Sequence, residues 1–360
     1  MTTAGRRVRA VHQFHPILSA GDAMSDHIFA LRSRFRSWGY ESDAFCVEAK
    51  GEVAAETRPY RELFRGTTPD DLLVLHFSMG HEVYDQLAKL RARKALVFHN
   101  ITPPQFFIGV NSHAAAYARL GHRQLKALAP KIDMAIGVSE FDRRALVEAG
   151  YANTATVPIL IDWSRLDVEP AEDVRGLLHG IKTKLLFVGR ISPNKRQDDL
   201  IRMLAYYRRC IDPDAILILV GSHRDQPEYY SRLKALAESL GLTGAVRFTG
   251  TVTNAELVAY YREASCFVSL SEHEGFGVPL LEAMYLGTPV VAFDAAAVGE
   301  TVDRAGVLLP RKDLAEAAEA CALVNEDLGW RQRLVDAGHE RVKAFDPDTV
   351  AARTREALGL

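Results

Sequence analysis

The stretch "SCFVSLSEHEGFGVPLLEAM", residues 265–284, changes character twice. Residues 265–271 are a short apolar run of strand length. Gly275, Gly277 and Pro279 then interrupt it, and an apolar segment of helical length follows. Glycines permit a tight turn and a close approach of backbone to a ligand. Proline is tolerated in the first turn of a helix, where its missing N–H has no partner to lose. The stretch therefore predicts a buried strand, a glycine turn and a helix. Two carboxylates, Glu274 and Glu282, flank the turn eight positions apart.

The same alternation extends in both directions. Downstream lies "PVVAFD" (289–294). Upstream come strand-like "TKLLFVGR" (183–190), "AILILVG" (215–221) and "AVRFTG" (245–250), with helical segments at 195–209, 227–241 and 255–264. The first half repeats the scheme. Apolar runs "VRAVHQF" (8–14), "SDAFCV" (42–47), "DLLVLHF" (71–77), "KALVFHN" (94–100) and "DMAIGVS" (133–139) alternate with helical segments at 25–40, 82–94 and 112–128. Short continuous apolar runs suit strands covered on both faces, and alternation with helices predicts parallel, doubly wound sheets. The reading is two α/β domains, 1–165 and 166–345, joined near "VPILIDWSRLDVEPAEDV" (157–174), where Pro158 and Pro170 flank a stretch without helical period. Ligands of such sheets bind outside the carboxyl ends of the strands, so a cleft between the two domains is the expected site.

The 360 residues are 48% hydrophobic and 25% charged, a globular composition, and the net charge of −2 leaves no overall footprint for nucleic acid. The first half leans basic and the second acidic. That skew suits an anionic partner or membrane surface, or simply solvated faces. Cys46, Cys210, Cys266 and Cys321 have no metal or redox spacing, which fits a reducing cytoplasm. The N-terminus is basic without an apolar segment, so no secretory signal is expected, and no run reaches the length of a membrane helix. A cytoplasmic protein, at most peripheral on a membrane, is the expectation.

The chemistry gathers at predicted strand ends. Arg190 ends one strand and Lys195 follows across "ISPN". Alone they read as surface cations near a turn; beside the 274–282 stretch they read as a clamp on a diphosphate, with Arg as a planar fork and Lys as a point charge. Backbone N–H groups around Phe276, Gly277 and Val278 open the helix after Pro279, where an anion is favoured. Glu282, about one turn in, is placed to accept from the two hydroxyls of a ribose. Glu274, at the strand's mouth, is placed to hold hydroxyls of a second sugar. The ligand so described is a sugar, a diphosphate and a nucleoside. Plain alternatives are helix-dipole stabilisation for Glu282 and a loop acid for Glu274. No acid-x-acid pair resembles a metal–diphosphate site, so neither a metal nor another cofactor is expected.

"EHEGFGVPLLEAM" (272–284) resembles the E-x7-E motif of retaining GT-B glycosyltransferases of glycosyltransferase family 4. "FVGRISPNKRQDDLI" (187–201) resembles that family's phosphate-binding segment, and "RFTGTVTNAELVAYYREASCFVSLSEHEGFG" (247–277) is similar almost throughout. The likeness is strong over 185–305 and looser before it, through residues 19–40, 98–107 and 136–150.

The resemblance implies the GT-B architecture, two Rossmann-like domains facing an interdomain cleft, with a final helix at about 346–360 crossing back to the first. It implies transfer of a hexosyl unit from a nucleotide-sugar such as GDP-mannose or a UDP-hexose. The acceptor would be a glycan or lipid-linked glycan in cell-surface polysaccharide assembly. Retention would come without a metal, by front-face attack with the departing phosphate taking the acceptor proton.

Arg190 and Lys195 would then bind the diphosphate, Glu282 the ribose, and Glu274 the donor sugar. Backbone from Phe276 through Gly277, Val278 and Pro279 to Leu280 would face sugar and phosphates. Gly221 and Val252 would line the base pocket. His99, after strand "KALVF", matches the family's cleft histidine and would orient the donor sugar; a structural histidine is the plain alternative.

Many members carry paired glycines in the first loop. Here "SAGDAMSDH" has Gly21 alone, able to approach phosphate, with Asp22 beside it. Asp22, Asn100 and Thr102 fall on the acceptor side. "YARLGHRQLKALAPK" (117–131) sets Arg119, Arg123, Lys126 and Lys131 among Leu120, Leu125 and Leu128, a pattern that suits anionic lipid or a solvated helix face. A GT-B epimerase and a non-catalytic nucleotide-sugar binder share this architecture. A phosphorylase lacks an identifiable pyridoxal-phosphate lysine, and a nicotinamide dehydrogenase lacks its GxGxxG.

Overall fold

The computed structural model describes residues 8–360; the basic residues 1–7, part of the N-terminal reading above, lie outside the described residues. The chain divides into two compact units. The first comprises Met1–Gln105, His113–Asp162 and Phe345–Leu360, and the second Phe106–Ser112 and Trp163–Ala344.

The first unit is built on a seven-stranded parallel sheet. Its spatial order is Thr57–Pro59, Ala44–Cys46, Val11–Phe14, Leu72–Phe77, Arg93–Phe98, Met134–Gly137, Thr154–Thr156. Every residue of Val11–Phe14 and Leu72–Phe77 is buried, as strands covered on both faces require. The chain leaves Val11–Phe14 toward Ala44–Cys46 on one side and later fills Leu72–Phe77 on the other. That reversal marks a topological switch point. The Pro347–Leu358 helix belongs to this unit. Arg353 donates to the Thr156 carbonyl (2.8 Å), and Arg93 donates to the Leu358 carbonyl (3.2 Å).

The helical period read over 82–94 stops early. The helix spans only Glu82–Leu87, and Arg93 already belongs to a strand. Past Leu87 the chain tightens into i→i+3 bonds, Lys89 N–H to the Gln86 carbonyl and Leu90 N–H to the Leu87 carbonyl (both 3.1 Å), and the Lys94 ammonium donates to the carbonyls of Leu90 (2.6 Å) and Ala92 (2.9 Å) in the turn that follows.

The second unit repeats the plan with six parallel strands: Val246–Gly250, Ile216–Val220, Lys184–Val188, Cys266–Ser269, Val290–Phe293, Val307–Leu309. Leu185 and Phe187 point to one face with Leu217, Leu219, Cys266 and Val268. They pack under the helices Gln197–Cys210 and Leu314–Glu326. The reversal here falls between Lys184–Val188 and Cys266–Ser269, the two strands whose following loops carry the residues singled out above.

Residues 295–344 carry no element in the sequence reading, yet they form helices Val298–Val302, Leu314–Glu326 and Leu328–Val342. "LAEAAEACALVNE" is rich in alanine, a strong helix former whose small side chain leaves little apolar period to detect.

Candidate functional site

Two loops meet at the switch point of the second unit. The loop after Lys184–Val188 carries Arg190 and Lys195, and the loop after Cys266–Ser269 carries Glu274 and Gly277. They are laced together: Glu272 N–H donates to the Asn194 carbonyl (2.9 Å), and the Asn194 amide donates to the His273 carbonyl (3.0 Å). Lys195 forms an ion pair with Glu274, both side chains being largely buried. The Arg190 side chain is exposed and has no ion-pair partner among the described residues.

Gly277 opens the Val278–Tyr285 helix at φ 92°, a left-handed conformation, and a Cβ there would lie 2.6 Å from the Leu280 Cδ1. Only glycine meets both demands at low cost. No side chain caps this helix; Pro279 has no N–H to offer and Leu280 N–H donates to the Gly277 carbonyl (3.0 Å), so Val278 supplies the first-turn N–H that another acceptor could take. Pro279 lies in the first turn and Glu282 one turn in. Phe276, Val278 and Leu280 are buried, and Thr301 donates to the Phe276 carbonyl, which fixes the loop from behind.

Glu282 is 4% exposed and occupied on both oxygens. Arg165 forms an ion pair with one, and the Tyr261 hydroxyl donates to the other at 2.8 Å. Burial, with Glu282 second, pushes the Tyr261 phenol well up, so it remains a donor. Helix-dipole stabilisation alone does not account for so enclosed a carboxylate. Neither partner was legible in sequence. Arg165 stands 117 residues away and Tyr261 stands 21 away, and no local spacing links them.

Gly221 has φ 140°, and a Cβ on it would meet the Gly189 carbonyl oxygen at 2.2 Å, so the loop ends of the two strands touch backbone to backbone there. Gly221 N–H donates to the Gly250 carbonyl (2.9 Å), which ties the Gly221 loop to the segment leading to Val252.

Beneath Lys195, Arg196 adopts φ 52° and pairs with Asp198, Asp199 and Glu272. Lys312 joins Asp199 and Glu272. Burial would raise the Asp198 carboxyl, but hydrogen bonds from Arg196 and Arg202 overcome it and hold it at about 2. A non-glycine residue in this region costs on the order of 1–3 kcal/mol, and the ring of carboxylates offsets it.

The remaining candidates lie in the first unit. Gly21 has φ 72°, and Asp22 caps the Ala23–Ser37 helix by accepting from the Ser25 N–H (3.2 Å). At least part of the Asp22 carboxylate thus serves the fold. Asn100 has φ 69° and accepts from the Ile101 N–H at 2.6 Å; Thr102 is half-buried beside it. In the Ser112–Leu128 helix, Leu125 and Leu128 are buried, Leu120 is half-buried, and Arg119, Arg123 and Lys126 are exposed, as is Lys131 beyond it.

His99 does not stand alone. Its Nε2 lies 3.0 Å from the His76 Nδ1, and the His76 Nε2 lies 3.0 Å from the Gln13 Oε1. The His27 ring abuts both imidazoles. Burial holds His27 at about 4 and pushes His76 and His99 well below the usual histidine range. One nitrogen from each of these three lies within 4.8 Å of the others, a spacing a metal ion would tolerate. The donor set does not fit one. Leu160 N–H donates to the His27 Nδ1 at 2.8 Å, which leaves the proton of the neutral ring on Nε2 and no lone pair for a metal.

With this geometry in hand, the likeness to known proteins is specific. Solved structures share the GT-B fold over nearly the whole chain. Sucrose-phosphate synthase from Thermosynechococcus elongatus superposes with a TM-score of 0.75 at 21% identity, covering 97% of this chain and 98% of that one. HepE from Anabaena, solved with UDP-glucose, also gives 0.75, at 19% identity over 97% and 99%. Residues 171–341 match the family model described as "Glycosyl transferases group 1". A D-inositol 3-phosphate glycosyltransferase of Streptomyces bingchenggensis is 33% identical over 183 residues, 48% of this chain and 39% of its own. A phosphatidyl-myo-inositol mannosyltransferase of Mycobacterium leprae is 33% identical over 228 residues, 62% of this chain and 58% of its own. The alignments thus span between about two fifths and three fifths of these relatives' lengths. Residues 171–341, which lie in the second unit, are thus similar to a group 1 glycosyl transferase segment, and the chain has the two-domain GT-B fold.

Proposed function

We propose that the protein is a retaining glycosyltransferase of glycosyltransferase family 4 that moves a hexosyl unit from a nucleotide-sugar to a glycan or lipid-linked acceptor. GDP-mannose and UDP-hexoses are the candidate donors. The observation that carries the reading is the assembly of Arg190, Lys195, Glu274 and Glu282 with an uncapped helix N-terminus at the switch point of the second unit. In an open α/β sheet that position is where a ligand binds, and the groups found there suit a diphosphate with a sugar at each end.

In this reaction the bond between the anomeric carbon and the β-phosphate oxygen breaks. The acceptor oxygen bonds to the anomeric carbon on the same face, and the acceptor proton passes to the departing phosphate. Negative charge grows on that phosphate. Arg190, Lys195 and the helix N-terminus stabilise it more in the transition state than in the bound donor, in the role a divalent cation plays elsewhere. Lys195 must exchange Glu274 for phosphate, which frees Glu274 for sugar hydroxyls. Glu282, steadied by Arg165 and Tyr261, holds the ribose.

The relatives whose names carry inositol or phosphatidylinositol support an acceptor of that kind. The exposed Arg119, Arg123, Lys126 and Lys131 supply a basic face for an anionic bilayer surface. Among the described residues no helix is long and apolar enough to cross a membrane.

The test is a thermal-shift panel of nucleoside diphosphates and nucleotide-sugars, followed by assay of nucleoside diphosphate release with and without acceptor. Ligand binding to the native state raises the melting temperature. A stabilising nucleotide-sugar whose diphosphate is released on adding acceptor bears out the reading. Stabilisation without release would indicate a binder, and no stabilisation would overturn the donor site.

A further inference from the structure

The hydrogen bonds around His99 run in one direction only. Gln13 and His76 are fully buried, on the adjacent strands Val11–Phe14 and Leu72–Phe77. The Gln13 amide N–H donates to the Ile28 carbonyl at 2.9 Å. A carbonyl can only accept, so this bond fixes the amide with Oε1 toward His76. The His76 Nε2 faces that oxygen at 3.0 Å and must carry its proton to donate. A neutral imidazole holds one such proton, so the His76 Nδ1 is bare. Across 3.0 Å stands the His99 Nε2, which must then be the donor. His99 is left with a bare Nδ1, and that atom is buried without a hydrogen-bond partner, although the residue as a whole is only half-buried.

The reverse arrangement fails at the first link. A proton on the His76 Nδ1 would turn a lone pair toward the Gln13 Oε1. Flipping the amide to answer it would set Oε1 against the Ile28 carbonyl. Both put acceptor against acceptor in a buried site, where an unmade bond is most costly. Double protonation is opposed by burial of the whole group and by the neighbouring rings.

We propose that Gln13 and His76 are positioning residues that hold His99 as a hydrogen-bond acceptor at Nδ1, for a hydroxyl of a sugar substrate at the carboxyl end of the first unit's sheet. His99 so held accepts from a hydroxyl and repels a phosphate oxygen, which has no proton to offer. It is an orienting group and no proton donor. The sugar half of this inference rests on the function proposed above; the tautomer half stands independently.

The experiment uses the full chain labelled with 15N-histidine. Two-bond 1H–15N correlation spectra separate Nδ1- from Nε2-protonated rings, with His99 assigned through His99→Gln. His99 and His76 are expected as Nε2-protonated in the wild type. Gln13→Glu should keep that state with its buried carboxyl neutral, the O–H donating to the Ile28 carbonyl in place of the amide and the other oxygen still accepting from His76. Gln13→Leu removes the anchor and should mix the tautomers. The matching kinetic arm compares kcat/KM for UDP-glucose and GDP-mannose with their singly deoxygenated analogues. For one hydroxyl the wild type should show a preference of about tenfold, the scale of one hydrogen bond. That preference should persist in Gln13→Glu and fall toward unity in Gln13→Leu.

A His99 protonated on Nδ1 in the wild type overturns the proposal whether or not Gln13→Leu folds. Equal use of every deoxygenated analogue by the wild type, or an unchanged preference in a folded Gln13→Leu, overturns its hydroxyl half. If neither nucleotide-sugar is turned over or bound while the tautomer is as stated, the failure lies with the proposed function, and the sugar half falls with it.

Discussion

Replacing Arg165 with Met tests the enclosure of Glu282. Methionine keeps most of the aliphatic stem and removes the guanidinium. Glu282 is 4% exposed, so the change leaves a nearly buried carboxylate with the Tyr261 hydroxyl still donating to it. Removing one partner of a buried ion pair costs about 3–5 kcal/mol, and Arg165 is itself about one-fifth exposed, so about 2–3 kcal/mol is expected here. For a domain of this size a loss of 1 kcal/mol lowers Tm by roughly 2–4 °C, so the second unit should melt roughly 4–12 °C earlier.

The reverse substitution, Glu282→Gln, should cost less. The neutral amide can still accept from Tyr261, and Arg165, left without its partner, retains access to water. The double variant should melt above Arg165→Met alone, because it removes the stranded charge. Differential scanning calorimetry of the three full-length variants measures the order. Arg165→Met melting with the wild type, or the double variant melting no higher than Arg165→Met, would refute the claim that Arg165 neutralises a buried Glu282.

Lys195→Ala and Arg190→Ala should each slow single-turnover transfer at saturating donor by about 10²–10³-fold, the scale of one transition-state donor. The double variant should lose less than the product, since both act on one phosphate. Lys195→Ala should also melt earlier, because it strands Glu274, whereas Arg190→Ala at an exposed site should not; normal turnover in both would remove the diphosphate from this loop. Transfer should continue at nearly full rate in EDTA, and rescue of a lost rate by magnesium or manganese would reveal a metal requirement.

Stability should fall on acidification between about pH 6.5 and pH 4. His27 holds a pKa of about 4 against an ordinary 6.5, so the unfolded chain binds a proton there that the native chain refuses. Stability is therefore complete above the unfolded value and declines toward the folded one, by about 3 kcal/mol from His27 alone. Urea titrations at stepped pH that show no decline, or a His27→Phe variant with the same slope, would contradict this.

The local parts of the protein were legible without coordinates. Strand, glycine turn and helix at 265–284 follow from properties of single residues: apolar runs, the left-handed tolerance of Gly277, the fixed ring of Pro279. The repetition of that pattern was enough to expect two doubly wound sheets. The strand ends were enough to single out Arg190, Lys195, Glu274 and Glu282. Local period failed where chemistry other than periodicity decided. The helix read over 82–94 gives way after Leu87 to a turn whose Leu90 and Ala92 carbonyls accept from the Lys94 ammonium, and alanine hid the Leu314–Glu326 helix.

What the sequence could not contain were relations between distant residues. Arg165 and Glu282 are 117 positions apart, and Gln13 and His76 are 63 apart. Each pair exists only because a parallel sheet or a returning chain brings its members together. The protonation state of His99 is further still from the sequence, because three successive hydrogen bonds from the Ile28 carbonyl decide it. Hydrophobic pattern is a property of neighbours along the chain, whereas the pairing of charges and the direction of a hydrogen-bond chain are properties of neighbours in space.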